Sequence, residues 1–111
     1  MDDWQDLGRR CREILIDLAN LAYEATMLPG DAEEPKASDA KNKLTYAGNH
    51  HFEGKEHAEL RAVIRSSWDL ANKVTHSSGI GKLDAWASVQ STILLVRLFE
   101  QLPRGEGQGS A

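Results

Sequence analysis

The 111-residue chain has a single cysteine, Cys11, so no disulfide can form within it. A lone thiol inside an apolar helical pattern fits a reducing cytosol, and a cytoplasmic location is the expectation. Aromatic residues make up only 6%, so any core has to be built from Leu, Ile, Val and Ala. Nine glycines and three prolines are too few for a collagen-like or low-complexity chain. Period-two alternation and Asn-Gly or Asp-Gly hairpin signals are also missing, which argues against strands. The longest strongly apolar run, Thr92 to Phe99, is interrupted by Arg97 and falls far short of the roughly 20 residues of a membrane span. The opening Met1, Asp2, Asp3 shows neither the basic nor the apolar region of a secretory signal. Cations do not dominate either: 13 Lys and Arg stand against 17 Asp and Glu, a net charge of −4. General attraction to a phosphate backbone is therefore excluded, and nucleic-acid binding would need a local basic patch.

What is present is helical periodicity, and it predicts an all-α fold, a single compact up-down bundle of about four helices over residues 1–103. In the first helix, from about Asp3 to Ala25, Trp4, Leu7, Cys11, Ile14, Leu15, Leu18, Leu21 and Ala22 recur at the 3, 4 spacing of one face, with Asp2 or Asp3 as cap. Pro29, Gly30 and Pro35 mark Leu28 to Ala37 as a connector. Ser38 then reads as the N-cap of a second helix, with Asp39 and Lys43 spaced as an i, i+4 pair and Gly48 and Asn49 ending it. A third helix spans about Lys55 to Thr75, a Ser/Gly turn covers Ser77 to Gly81, and a fourth helix runs from Lys82 to Leu102, stopped by Pro103. Residues 104–111, with three glycines and no apolar anchor, read as a flexible tail or linker. The expected core comprises Trp4, Leu7, Cys11, Ile14, Leu18, Leu60, Ile64, Ala71, Val89, Ile93 and Leu94.

The fourth helix is apolar over about 260° of its circumference from Val89 to Leu102, more than one neighbour covers. Its first reading is a central helix buried among the other three. Its second is an additional apolar face, with Leu95, Val96, Leu98 and Phe99 as interface residues for a dimer or a partner domain.

Two constellations could carry chemistry. On the third helix Arg61, Arg65, Asp69, Asn72 and His76 fall within an arc of roughly 80°, flanked by Trp68. Cations, an amide and an imidazole on one ridge can grip a phosphate, and the imidazole can move a proton. In that reading His76 and Asn72 are catalytic, while Arg61, Arg65 and Trp68 bind nucleic acid by charge and stacking. The plainer reading is an Arg65–Asp69 i, i+4 pair, a solvated Asn72, and a His76 that suits the C-terminal helix dipole. The second constellation is His50, His51, Glu53 and His57. Its spacing straddles a helix end and matches no standard zinc pattern, so surface histidines are expected, with no metal and no cofactor. Buried among leucines, Cys11 reads as structural, and Gly79-Ile-Gly81-Lys82 lacks the spacing of a phosphate loop.

Four stretches, Trp4-Gln-Asp-Leu-Gly-Arg-Arg-Cys-Arg-Glu-Ile-Leu15, Ala37-Ser-Asp-Ala-Lys-Asn-Lys-Leu44, Asp69-Leu-Ala-Asn-Lys-Val-Thr-His76 and Asp84-Ala-Trp-Ala-Ser-Val-Gln-Ser-Thr-Ile-Leu-Leu-Val-Arg97, bear a family likeness. Together they resemble the small helical domains, HEPN-like or related, that accompany prokaryotic antiviral and abortive-infection proteins. The resemblance implies an all-α bundle that often dimerises and sits beside an effector or sensor protein or domain. In active HEPN members it also implies RNA cleavage at a site composed by paired subunits. Those members carry Arg with four to six residues between it and the catalytic His, whereas the chain has Asp69, Leu70 and Ala71 at those positions before His76. Only the histidine carries over. The leading expectation is therefore a non-catalytic interaction module of a bacterial defence-type system, forming a homodimer or docking to a neighbouring protein. The alternative is a metal-independent RNase or RNA-binding domain using the Arg61, Arg65, Asn72 and His76 strip, with RNA as partner.

Overall fold

In the computed structural model the described residues are 3–36, 38–76, 79 and 81–102, with the side chain of Asp3 left out. They form four α-helices, α1 (Asp3–Ala22), α2 (Ala40–His51), α3 (Ala58–His76) and α4 (Lys82–Glu100), joined with two 3-10 turns at Ala25–Met27 and Lys55–His57. The fold is an all-α bundle of four helices, with no strand among the described residues. The expected tail, the caps at Asp2 or Asp3, and Ser77, Ser78 and Ile80 of the expected turn lie outside what is described.

Each of α1 and α3 packs against the other three helices, so these two are central. Among the described residues α2 and α4 are not packed side by side, and ring contacts join their C-terminal ends, Phe99 against His51 and against Phe52 just beyond α2. The reading of α4 as the central helix is thereby corrected. Pairings along the helices give their directions. Gly8 lies against Val74, and Arg12 over Trp68, so α1 and α3 are antiparallel. Gly48 lies against Ile64, and Lys41 meets Asp69, so α2 is antiparallel to α3 as well. Thus α1 and α2 run the same way, which corrects the simple up-down order. The long connection through Pro29 and Pro35 returns the chain to the starting end of the bundle.

Local chemistry explains the helix limits. Asp39, not Ser38, caps α2: its carboxylate accepts from the Asn42 backbone N–H at 3.2 Å and from Asn42 Nδ2 at 2.7 Å. Lys43 reaches across to Asn20 Oδ1 at 2.8 Å. Gly48 does not end α2, which continues to His51. A Cβ there would stand 2.9 Å from Ile64 Cδ1, so the glycine serves close approach of α2 to α3. Gly8 plays the same part between α1 and α3, where a Cβ would stand 2.6 Å from Val74 Cγ1.

The core is formed by Cys11, Leu15, Ala19, Ala40, Leu44, Phe52, Ile64, Ala71 and Leu95. Each fully buried leucine or isoleucine contributes about 1.5–3 kcal/mol relative to exposure. Of the expected core, Cys11, Ile64 and Ala71 are buried, while Trp4, Leu7, Leu18, Leu60 and Val89 are half-buried. Ile14, Ile93 and Leu94 are instead 46%, 45% and 51% exposed, a correction with a clear cause on α4. The side of α4 that faces α1 and α3 is made of Ala85, Ser88, Thr92 and Leu95. Small residues let the helix axes approach, and Thr92 satisfies its buried hydroxyl by donating to Ser88 O at 2.8 Å. The bulkier Ile93 and Leu94 are left on the far side.

Candidate functional site

The polar strip of α3 exists as one ridge, because α3 is an unbroken helix from Ala58 to His76. Much of it is engaged within the fold. Arg61 donates from Nη1 to the carbonyls of Phe52 at 2.6 Å and Gly54 at 2.8 Å, clamping the α2–α3 turn in which Gly54 adopts a φ of +94°. Asp69 takes Lys41 of α2 at 2.8 Å, so its ion pair spans two helices and is not the expected one with Arg65. Trp68 is half-buried beneath Arg12 of α1, whose guanidinium carbon is 5.6 Å from the ring centroid. Arg65 and His76 are exposed, and Asn72 is half-buried.

Spacing limits what the strip can do. At 1.5 Å per residue, Arg65 and His76 are about 16 Å apart along the axis. A single phosphate cannot touch both. Asn72 and His76 are one turn apart, about 6 Å, and can address one ligand, with the exposed Lys73, three residues before His76, as the cation nearest to them on α3. One copy of the chain thus brings the histidine and the amide together and leaves the arginines elsewhere.

At the other end of the bundle the histidines serve packing. The His51 ring is edge-on to Phe99, with centroids 6.3 Å apart, and Phe52 meets Phe99 edge to face at 5.5 Å. His57 donates from Nδ1 to Glu53 O at 3.0 Å. Burial against the phenylalanines lowers the His51 pKa below its ordinary value, the neighbouring His50 lowers it further, and Glu24 opposes both. Among the described residues no three His, Cys, Asp or Glu groups converge on a point where a metal ion could sit.

The surface that sequence reasoning placed wrongly is on α4. Leu95, expected at an interface, is fully buried in the core, and Val96, Leu98 and Phe99 are half-buried. The outward face is Leu83, Trp86, Gln90, Ile93, Leu94 and Arg97, all exposed, with Leu83 at 78% and Trp86 at 59%. These positions fall within an arc of about 100°. Beside Leu94 the surface continues into a shallow groove of about 260 Å³ between α3 and α4, lined by Ala62, Val63, Ser66, Ser67, Leu70 and Ser91. Positions 83, 86, 90, 93 and 97 follow a 3, 4 spacing, but with Gln90 and Arg97 among them, on a helix apolar over most of its circumference, that spacing does not select this side. No helix is long and apolar enough to cross a membrane among the described residues, so the apolar face is not part of a spanning helix.

No family model, curated protein or solved structure matches the chain.

Proposed function

We propose that the chain is a non-catalytic helical interaction module that docks through the outer face of α4, in the manner of the defence-associated domains it resembles. The observation that supports this reading is the stripe of exposed apolar residues Leu83, Trp86, Ile93 and Leu94 on one side of α4, crossed by Gln90. Large apolar side chains grouped on one helix face of a small domain mark an interaction surface, whereas scattered ones carry no such meaning. The partner is a second copy or a protein encoded beside it.

Co-expression with proteins encoded by neighbouring genes, followed by pull-down, tests the reading together with light scattering of the chain alone. Association by either route should be lost in Trp86→Glu, with the melting temperature kept. A chain that stays monomeric, and retains no neighbour-encoded protein, removes the module reading. Metal-independent RNA cleavage abolished by His76→Ala would replace it with the RNase alternative.

A further inference from the structure

The outer face of α4 carries a charge pattern that is complementary to itself only when the helix is reversed. Lys82 and Glu100 are both exposed and lie at the two ends of α4. Eighteen residues, or about five turns, separate them, so they stand on one line along the helix flank. Arg97, also exposed, lies within the apolar stripe near the same end as Glu100. None of the three makes an ion pair inside the chain among the described residues.

Resting on the docking reading above, we propose that the occupant of this face is a second copy of the chain, paired antiparallel through α4 about a two-fold axis between Ser91 and Thr92. In that register Lys82 stands within one residue, about 1.5 Å of axial rise, of Glu100 of the second copy on the same flank at both ends of the pair. Trp86 stands opposite Arg97 of the second copy, a cation over an indole, and Gln90 opposite Ile93 of the second copy. A parallel pair sets Arg97 against Arg97, which is repulsive, and carries Lys82 and Glu100 of the two copies to opposite sides of the seam, where they meet no opposite charge. Antiparallel packing also opposes the two helix dipoles favourably.

The area is sufficient. Leu83, Trp86, Ile93 and Leu94 are 78%, 59%, 45% and 51% exposed. One aromatic residue alone can bury roughly 150–250 Å², so the four present on the order of 400 Å² of apolar surface per copy. Two copies with their polar rims clear the roughly 1,000 Å² of total buried area that a specific interface needs. The seam is short and holds Gln90 and Arg97, which suits a reversible, micromolar pair more than an obligate one.

Sedimentation equilibrium of the full chain, from low micromolar to several hundred micromolar, should show a monomer–dimer equilibrium. Trp86→Lys, which sets a second cation against Arg97, or Leu83→Glu at the most exposed position of the face, should raise the dissociation constant about a hundredfold or more while the circular-dichroism melt is kept. Lys82→Glu alone should weaken the dimer about tenfold, by setting Glu against Glu at both ends, and Lys82→Glu with Glu100→Lys should restore it. A chain that is monomeric throughout overturns the second copy as occupant. The docking reading then still stands if a neighbour-encoded protein is retained and lost in Trp86→Glu. A dimer indifferent to Trp86→Lys, or one that the double charge reversal fails to restore, overturns the antiparallel α4 pairing.

Discussion

The ridge of α3 and the outer face of α4 are similar in length and opposite in what the fold does with them. On α3 the polar groups are drawn inward: Arg61 holds two carbonyls of the preceding turn, Asp69 ties down α2 through Lys41, and Trp68 lies under Arg12. On α4 four large apolar side chains point away from every other helix. A row of charged and aromatic residues reads as a binding strip in one dimension, yet in three it is largely the bundle's own fastening. The residues that remain free to meet another molecule are those an amphipathic pattern would assign to the core. Substitutions that treat the two faces of α4, or neighbouring positions of α3, as equivalent should break this contrast.

The largest effect is expected between adjacent residues of α4. Leu95→Asp places a carboxylate in a site with no exposure and should cost about 3–5 kcal/mol in chemical denaturation. Leu94→Asp, half exposed on the other side, should stay within about 0.5 kcal/mol at concentrations where the chain is monomeric. Equal losses at the two positions would mean that α4 is rotated about its axis from the arrangement described.

Those two leucines also show where the sequence was informative. Helix number and limits were legible to within a few residues, because 3, 4 apolar spacing and turn residues report directly on backbone periodicity. The facing of α4 was not. Apolar residues surround most of its circumference, so periodicity selects no side. The side chosen is that of Ala85, Ser88 and Thr92, which hydropathy ranks below Ile93 and Leu94. Close approach of helix axes rewards small volume, and the Thr92 hydroxyl, by donating to its own helix carbonyl, carries no unmet hydrogen bond into the core, although Ser88 Oγ is buried there without a partner among the described residues. Gly48 was misread for a related reason: a glycine near a helix end looks like a stop, and its contact with Ile64 is visible only once α3 is in place. Of the candidate site, the ridge of α3 was legible as an arc, whereas its ties to Lys41, Arg12 and the Phe52 carbonyl link residues distant in sequence.

A smaller contrast is expected within α3. Arg61→Ala removes two charge-assisted hydrogen bonds to backbone carbonyls and should destabilise by about 1–2 kcal/mol. Arg65→Ala, on an exposed side chain, should be neutral within about 0.5 kcal/mol. Denaturant midpoints of the two variants decide the matter. A neutral Arg61→Ala would free that guanidinium from its structural part and return it to the candidates for phosphate contact.

The smallest effect concerns pH and the ring cluster that joins α2 to α4. His51 lies edge-on to Phe99 and next to Phe52, and burial there disfavours its charged form, as does His50, while Glu24 partly compensates. Its folded pKa is therefore below the roughly 6.5 of an unfolded chain. Below that pH the unfolded state binds more protons than the folded one, so stability rises with pH through this region. The contribution is complete above about pH 6.5 and is lost as pH falls toward and through the lowered folded value. Because His51 is only half-buried, the acid limb should be shallow, smaller than either contrast above. Replacing the ring by one that cannot titrate, His51→Phe, keeps the edge contact with Phe99 and should flatten the dependence of melting temperature on pH between neutral and mildly acid buffer. An unaltered slope in His51→Phe would separate the limb from His51 and leave the junction of α2 and α4 indifferent to protonation of that ring.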